Sequence, residues 1–331
     1  MITNPKIAVF GGGSWATAIV KMLCENMDQV GWYMRNQSAI DYISENEHNP
    51  NYLSSAALDV DKLFLSNDIN ELVRYGDMLI FAIPSAFLKD ELDKITEDIS
   101  SKIVFSAIKG IVPESGLIVG EHFHKFFKIP LKNIGVIAGP CHAEEVAMER
   151  LSYLTIACQD EEKADLLSKY LSSHYIKTKT SDDIIGTEYA AMLKNIYAIA
   201  AGMAHGLGYG DNFQAVLMSN SVREMKRFIR KVHRMKRNIN NSAYLGDLLV
   251  TGYSVFSRNR MFGNMIGKGY TVKSAMMEMS MIAEGYYATK SAFLINEKNK
   301  ARTPIIDAVY GILYENKNPK QIFKKLTDVL D

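Results

Sequence analysis

Lys6-Ile-Ala-Val-Phe-Gly-Gly-Gly-Ser-Trp-Ala16 is the stretch whose reading decides the fold. Lys6 to Phe10 has the length of a buried strand, and the residues from Ala16 to Glu25 read as a helix. Between them, Gly11, Gly13 and Ala16 occupy the positions of a GxGxxG turn, with alanine in the last place. The first glycine allows a tight turn and the second lets backbone approach a pyrophosphate. The third position needs only a residue small enough for helix and strand to pack. The helix N-terminus then offers free N–H groups and a positive dipole end to an anion. A bare glycine-rich turn is the competing reading, and the strand–turn–helix context favours a dinucleotide.

More runs of the same kind follow. Gln29 to Met34, Asp77 to Ile83, Lys102 to Ala107, Ile134 to Ala138 and Tyr153 to Cys158 are apolar along their length. Strands apolar on both faces suit a parallel sheet covered by helices on both sides. Their alternation with helical stretches predicts a doubly wound, Rossmann-like α/β domain over residues 1–183. From residue 184 to 331 the sequence reads as helices without a convincing strand. Met192 to Ala204, Asn212 to Val232, Thr271 to Leu294 and Pro304 to Tyr314 predict an all-α second domain. Asp211 or Asn212 is the expected N-cap of the helix after the glycine-rich Gly206–Gly210 stretch.

The second strand ends Tyr33-Met34-Arg35-Asn36, without the acid that reads a ribose 2′-hydroxyl in NAD proteins. Arg35 can pair with a 2′-phosphate or stack on adenine, so NAD and NADP both stay open.

Bulk composition excludes other classes. The chain has 331 residues, 47% hydrophobic and 23% charged, with net charge +1, which suggests neither a nucleic-acid binder nor a membrane-surface protein. Three cysteines, Cys24, Cys141 and Cys158, show no CxxC spacing, as expected in a reducing compartment. His122 and His124 do not share a helical face, so metal catalysis is not expected. No secretory leader is read at the N-terminus, and the expected location is the cytoplasm.

The second half carries the chemistry. In Ala190-Ala-Met-Leu-Lys-Asn-Ile-Tyr-Ala-Ile-Ala-Ala-Gly202, Lys194 is the lone formal charge. As a helix, this segment surrounds Lys194 with Ala190, Ala191, Tyr197, Ala198, Ala201 and Gly202. Small neighbours leave a recess for a ligand, or serve close helix packing with the lysine reaching to water. Desolvation lowers a lysine pKa toward the range where it exchanges protons with substrate. Ser257-Arg-Asn-Arg260 offers guanidinium forks suited to phosphate, or else an exposed helix end. The basic run Lys226 to Arg237 reads first as a solvated face and second as an electropositive rim for anions.

Taken in order, the motifs resemble those of cytosolic NAD(P)-dependent glycerol-3-phosphate dehydrogenases over nearly the whole chain. They are Gly11-Gly-Gly-Ser-Trp-Ala16, Ile108-Lys-Gly110, Gly139-Pro140 with Ala143-Glu-Glu145, and Leu193-Lys-Asn195. Gly206-Leu-Gly-Tyr-Gly-Asp-Asn212, Leu245-Gly-Asp-Leu248, Ser257-Arg-Asn-Arg260 and Glu284-Gly285 complete the series. The resemblance implies reversible reduction of dihydroxyacetone phosphate to sn-glycerol 3-phosphate with NAD or NADP, feeding phospholipid synthesis. It implies Lys194 and Lys109 as catalytic groups, Lys194 carrying the proton. Ser257, Arg258 and Asn259 would hold the substrate phosphate and Asp247 its hydroxyls, with Gly139, Cys141 and Lys109 also at the substrate. Gly11, Gly13, Ser14, Trp15, Arg35, Lys109, Gly139, Ala143, Arg258 and Glu284 would hold the cofactor. A homodimer is implied, with no nucleic-acid partner and no membrane insertion. The chain departs from the family pattern at Cys141, where serine is usual, and at Asn241-Ser-Ala-Tyr244, ahead of Asp247. Reductases of 3-hydroxyacids or ketopantoate on the same plan lack a need for Ser257-Arg-Asn-Arg260. A nucleotide-binding sensor would have no use for Lys109 and Lys194.

Overall fold

The apolar runs of the first half become strands in a computed structural model that describes residues 4–279 and 283–331. In chain order the first half contains β1 (Ile7–Phe10), α1 (Ser14–Cys24), β2 (Val30–Tyr33), α2 (Gln37–Asn46), β3 (Leu63–Ser66), α3 (Ile69–Tyr75) and β4 (Met78–Phe81). Then come α4 (Ser85–Leu92), β5 (Ile103–Ser106), β6 (Ile111–Val112), β7 (Leu117–Ile118), α5 (Val119–Phe127), β8 (Ile134–Ala138), α6 (Ala143–Ala147), β9 (Ser152–Cys158), α7 (Glu161–Leu171) and β10 (Ile176–Ser181). The second half holds α8 (Ile184–Gly206), α9 (Asp211–Val232), α10 (Asp247–Tyr253) and α11 (Arg258–Gly267). It continues with α12 (Val272–Glu278), α13 (Glu284–Asn299), α14 (Pro304–Glu315) and α15 (Pro319–Thr327). The described residues divide into two units, Met1–Ile108 with Leu117–Ile184, and Lys109–Gly116 with Ile185–Asp331. Lys109 therefore belongs to the same unit as Lys194.

In the first unit, eight strands among the described residues form one sheet in the order β10-β9-β8-β5-β4-β1-β2-β3. Every residue of β1, β2, β4 and β5 is buried, because helices cover both faces. Strand order reverses at β1, which pairs in parallel with β2 on one side and β4 on the other. The crevice beyond the carboxyl ends of such strands is where doubly wound folds take ligands. The sheet is not wholly parallel, since β9 runs antiparallel to β8. Two strands of this sheet lie outside the apolar runs, the edge strands β3 and β10.

The second unit is built around α8. From Gly186 to Ala204 every residue is buried, as in a helix hydrophobic all round and covered by protein. Among the described residues no helix is long and apolar enough to cross a membrane. Helix α11 crosses α8 through glycines. A Cβ on Gly202 would sit 2.0 Å from the Arg260 carbonyl oxygen, and one on Gly263 would sit 2.0 Å from that of Ile199. Gly206 and Gly267 meet the facing helix in the same way one turn on. Part of the small-residue face around Lys194 thus serves close helix packing.

A buried carboxylate ties α9 to α14. Glu224 accepts hydrogen bonds from the backbone N–H groups of Ile305 and Ile306, at 2.9 and 3.0 Å. These are orphan donors of a helix N-terminus that opens on Pro304. Burial pushes the Glu224 carboxyl up to about 8, against the two N–H bonds that pull it down.

Two local expectations are corrected. Gly210, not Asp211 or Asn212, is the N-cap of α9, so the turn rests on backbone geometry and no side-chain cap forms. The helix expected over Thr271 to Leu294 is two, α12 ending at Glu278 and α13 starting at Glu284, with residues 280–282 outside the described set. The basic run leaves the helix at Val232, where the sequence ends it, and its helical part presents a solvated face: Phe228 is buried while Lys226, Arg230 and Lys231 are exposed.

Candidate active site

The glycine turn is held from several sides. Gly11 adopts φ +132°, and a Cβ there would lie 2.5 Å from the Ala82 carbonyl oxygen, so only glycine fits beside the end of β4. Its carbonyl accepts from the buried Trp32 indole at 2.7 Å, and its N–H donates to the Tyr33 carbonyl at 3.2 Å. Gly13 N-caps α1 without a side-chain bond and has open space where a Cβ would point. That arrangement leaves room for a phosphate at the α1 N-terminus.

Asn49 organises this turn from outside it. It is wholly buried. Its amide donates to the Gly12 carbonyl at 3.1 Å and to Thr17 Oγ1 at 3.0 Å. Its carbonyl oxygen accepts from the N–H groups of Asn51 and Tyr52 at 3.0 and 3.2 Å. Thr17 in turn donates to the Gly13 carbonyl at 3.0 Å. Every hydrogen-bonding position of the Asn49 amide is used.

A recess of about 250 Å³ opens beside the turn, lined by Gly11, Gly12, Gly13, the segment Tyr33 to Asn36, Asn51, Tyr52, Pro84 and Glu91 among others. Its walls mix backbone N–H groups with Met34, Tyr52 and Ile83. This pairing of phosphate cradle and apolar slot suits the adenosine diphosphate half of a dinucleotide.

Lys194 is 3% exposed and does not reach water. Its ammonium donates to Asp247 Oδ1, itself buried, so the lysine is paired and not isolated. Burial lowers the Lys194 pKa from 10.5 to about 8; Asp247 opposes the shift and Lys109 adds to it. The Asn195 side-chain amide holds the Lys109 carbonyl at 3.1 Å, fixing the backbone of that second cation. Asp247 Oδ2 is buried and has no hydrogen-bond partner among the described residues. Such an atom is costly unless a donor arrives.

Asp247 is delivered by a π-helical turn, Ser242–Gly246, which runs directly into α10. Single π turns of this kind recur at functional sites. Ser257 is the N-cap of α11, its hydroxyl accepting from the Arg260 N–H at 3.3 Å. Arg258 and Asn259 therefore lie in the first turn of a helix whose positive end is suited to anions. Asn259 Oδ1 accepts from the Gly285 N–H at 2.9 Å, which joins that turn to the start of α13 beside Glu284. A Cβ on Gly285 would lie 2.7 Å from the Asn195 carbonyl, so these three positions adjoin.

Within the second unit the structure thus brings Lys109, Lys194 and Asp247 together and places Asn259 next to the α13 start. Within the first unit Gly11, Gly13 and Arg35 line the recess, while Ser14, Trp15, Gly139, Cys141 and Ala143 are not in its lining. Ser14 opens α1. Gly139 follows β8 at φ +124°, Ala143 opens α6, and Cys141 packs in the apolar core. The sequence reading missed Asn49, Glu91 and Asn195. Asn195 stood beside the lysine in the motif, whereas Asn49 and Glu91 carried no periodic or motif signal. No group of three metal-ligating side chains is found among the described residues.

Comparison with known proteins agrees with this architecture. A family model described as the NAD-dependent glycerol-3-phosphate dehydrogenase N-terminus matches residues 6–164, and its C-terminus counterpart matches residues 183–324. The chain is 33% identical over 326 residues to a glycerol-3-phosphate dehydrogenase [NAD(P)+] of Staphylococcus aureus, covering 98% of each. The crystal structure of a glycerol-3-phosphate dehydrogenase from Coxiella burnetii superimposes with TM-score 0.89 at 26% identity, over 98% of both chains. The Plasmodium falciparum glycerol-3-phosphate dehydrogenase shares the fold, with TM-score 0.86 at 24% identity over 96% of this chain and 94% of that one. The class these features define is an NAD(P)-dependent oxidoreductase with a Rossmann-like unit and a helical unit. Within that class, the chain belongs to the NAD-dependent glycerol-3-phosphate dehydrogenase family.

Proposed function

We propose that this protein catalyses the reversible reduction of dihydroxyacetone phosphate to sn-glycerol 3-phosphate, with Lys194 as the proton donor and acceptor. The observation that carries the reading is the buried Lys194–Asp247 pair, with Lys109 close to the lysine and Asp247 Oδ2 unmet. The recess residues Gly11, Gly13 and Arg35, with Ser14 at the α1 N-terminus, hold the cofactor, which supplies a hydride to C2 when bound. As negative charge develops on the C2 oxygen, the Lys194 ammonium stabilises it and then transfers its proton. Lys109 adds a second positive charge to the same region. A substrate hydroxyl donates to Asp247 Oδ2, which restores the missing hydrogen bond. The first turn of α11, with Ser257, Arg258 and Asn259, binds the phosphate through N–H groups, dipole and guanidinium. In the oxidative direction neutral Lys194 accepts the hydroxyl proton. Its pKa near 8 lets one residue serve both directions near neutral pH. The product is the backbone on which glycerophospholipids are assembled.

The test is a nicotinamide-absorbance assay with dihydroxyacetone phosphate and with free dihydroxyacetone. The phosphorylated ketone is expected to be oxidant for NADH or NADPH, with the free ketone ~100-fold or more poorer in kcat/KM, because remote binding energy supports the chemical step. Absence of turnover with either cofactor sinks the reading, and equal rates on both ketones remove the phosphate site.

A further inference from the structure

We propose that Glu91 reads the adenosine ribose through its hydroxyls and selects against a 2′-phosphate, so that the enzyme prefers NAD to NADP. The inference deepens the cofactor reading above and rests on it. The second strand ends without an acid, and by itself Arg35 would favour a 2′-phosphate. A carboxylate nonetheless reaches the same recess, supplied by α4 instead of β2. Glu91 lines that recess together with the glycine turn, Tyr33 and Arg35, and it is 6% exposed.

Its geometry is specific. Tyr33 Oη donates to Glu91 Oε2 at 2.7 Å, and Lys94 Nζ donates to the same oxygen at 2.8 Å. Among the described residues, no donor is bonded to Oε1. One oxygen is therefore anchored and the other is left with its acceptor capacity. Burial and Glu91 itself keep the Tyr33 phenol protonated, so it stays a donor at any pH the enzyme works in. A carboxylate accepts hydrogen bonds and donates none. A ribose hydroxyl meets that requirement. A phosphate dianion does not, and it meets the carboxylate as a like charge. Lys94 is half exposed and its ammonium bonds Oε2, which leaves Oε1 as the oxygen open to a ribose hydroxyl. Arg35, also in the lining, is exposed, and its planar guanidinium suits stacking on adenine.

The experiment measures kcat/KM and dissociation constants for NADH and NADPH on the full-length enzyme, its Glu91→Gln and Tyr33→Phe variants, and Gly11→Ala. The native enzyme is expected to favour NADH by ~10-fold or more, the size of discrimination a charged hydrogen bond supports. Glu91→Gln keeps the shape and the Tyr33 bond but removes the charge, and narrows the NADH to NADPH ratio ~10-fold, mainly by tightening NADPH. Tyr33→Phe removes one of the two donors that anchor Oε2 and narrows the ratio in the same direction by a smaller factor, which provides the readout if Glu91→Gln does not fold. Native preference for NADPH, or a ratio unchanged within about twofold in the variant that folds, overturns the assignment of Glu91. Gly11→Ala separates the two levels of the argument: it is expected to lose both nucleotides. If it binds both normally, the recess is not the cofactor site, and the larger reading fails with the smaller.

Discussion

Lys194→Met is expected to lower dihydroxyacetone phosphate reduction by ~1,000-fold or more while NADH or NADPH still binds. Methionine matches the length and suits a helix that is buried all round, so the packing of α8 survives. What disappears is the proton and the positive charge, together worth about 10²–10⁴ in rate for acid catalysis with additional electrostatic stabilisation. The native enzyme supplies the companion signature. Because the Lys194 pKa lies at about 8, reduction, which needs the ammonium, declines as pH rises through that value. Oxidation, which needs the free amine, gains over the same interval. Both arms vanish in the variant. Stability moves with the same group. The unfolded lysine keeps its proton to about 10.5 and the folded one releases it near 8, so between those values the unfolded state binds more protons. Stability contributed by this residue therefore rises with pH from 8 to 10.5, and at neutral pH the buried charge is a cost that Asp247 offsets. Kinetics in both directions across pH, with nucleotide binding followed by fluorescence, check the set. Near-normal turnover in Lys194→Met would falsify the proton-carrier role.

Gly263→Ala is expected to destabilise the second unit by about 3 kcal/mol or more, the upper range for forcing extra volume into a packed interior. The added Cβ would stand 2.0 Å from the Ile199 carbonyl oxygen and 2.9 Å from the Met203 nitrogen. Those are backbone atoms of α8, which cannot turn aside as a flexible side chain can. The melting temperature should fall by ~10 °C, on the scale of about 2–4 °C per kcal/mol for a unit of this size. If the variant still folds, α11 must move away from α8 and carry Ser257, Arg258 and Asn259 with it. The KM for dihydroxyacetone phosphate should then rise while the dissociation constant for the nucleotide, held in the other unit, stays near native. An unchanged melting temperature would show that the helices do not cross at this glycine.

Which parts of the molecule were legible follows from where information resides in a chain. Strands β1, β2, β4 and β5 announce themselves because both their faces are covered, so each residue must be apolar. The edge strand β10, Ile176-Lys-Thr-Lys-Thr-Ser181, alternates lysines with threonines and looks like a loop to any search for apolar runs. The reversal of β9 could not be read because a buried antiparallel strand is as apolar as a buried parallel one. Lys194 stood out through desolvation, a local property of its own helix. Its partner lies 53 residues away, and nothing in Leu245-Gly-Asp-Leu248 by itself points back to a lysine. Only the resemblance named Asp247. Glu91 sits at an ordinary polar position of a short amphipathic helix, and its burial is a fact of the assembled recess alone.

The bonds of Asn49 bear on how this nucleotide-binding turn can be reused. Strand, glycines and helix from residues 6 to 25 look like a portable cassette. Yet the Gly12 carbonyl and the Thr17 hydroxyl are both held by an amide more than thirty residues downstream. A protein engineer grafting the cassette onto a new scaffold would have to transplant Asn49 and its Asn51-Tyr52 loop as well. The smallest transferable unit is thus a discontinuous one, two sequence segments clasped by a single carboxamide.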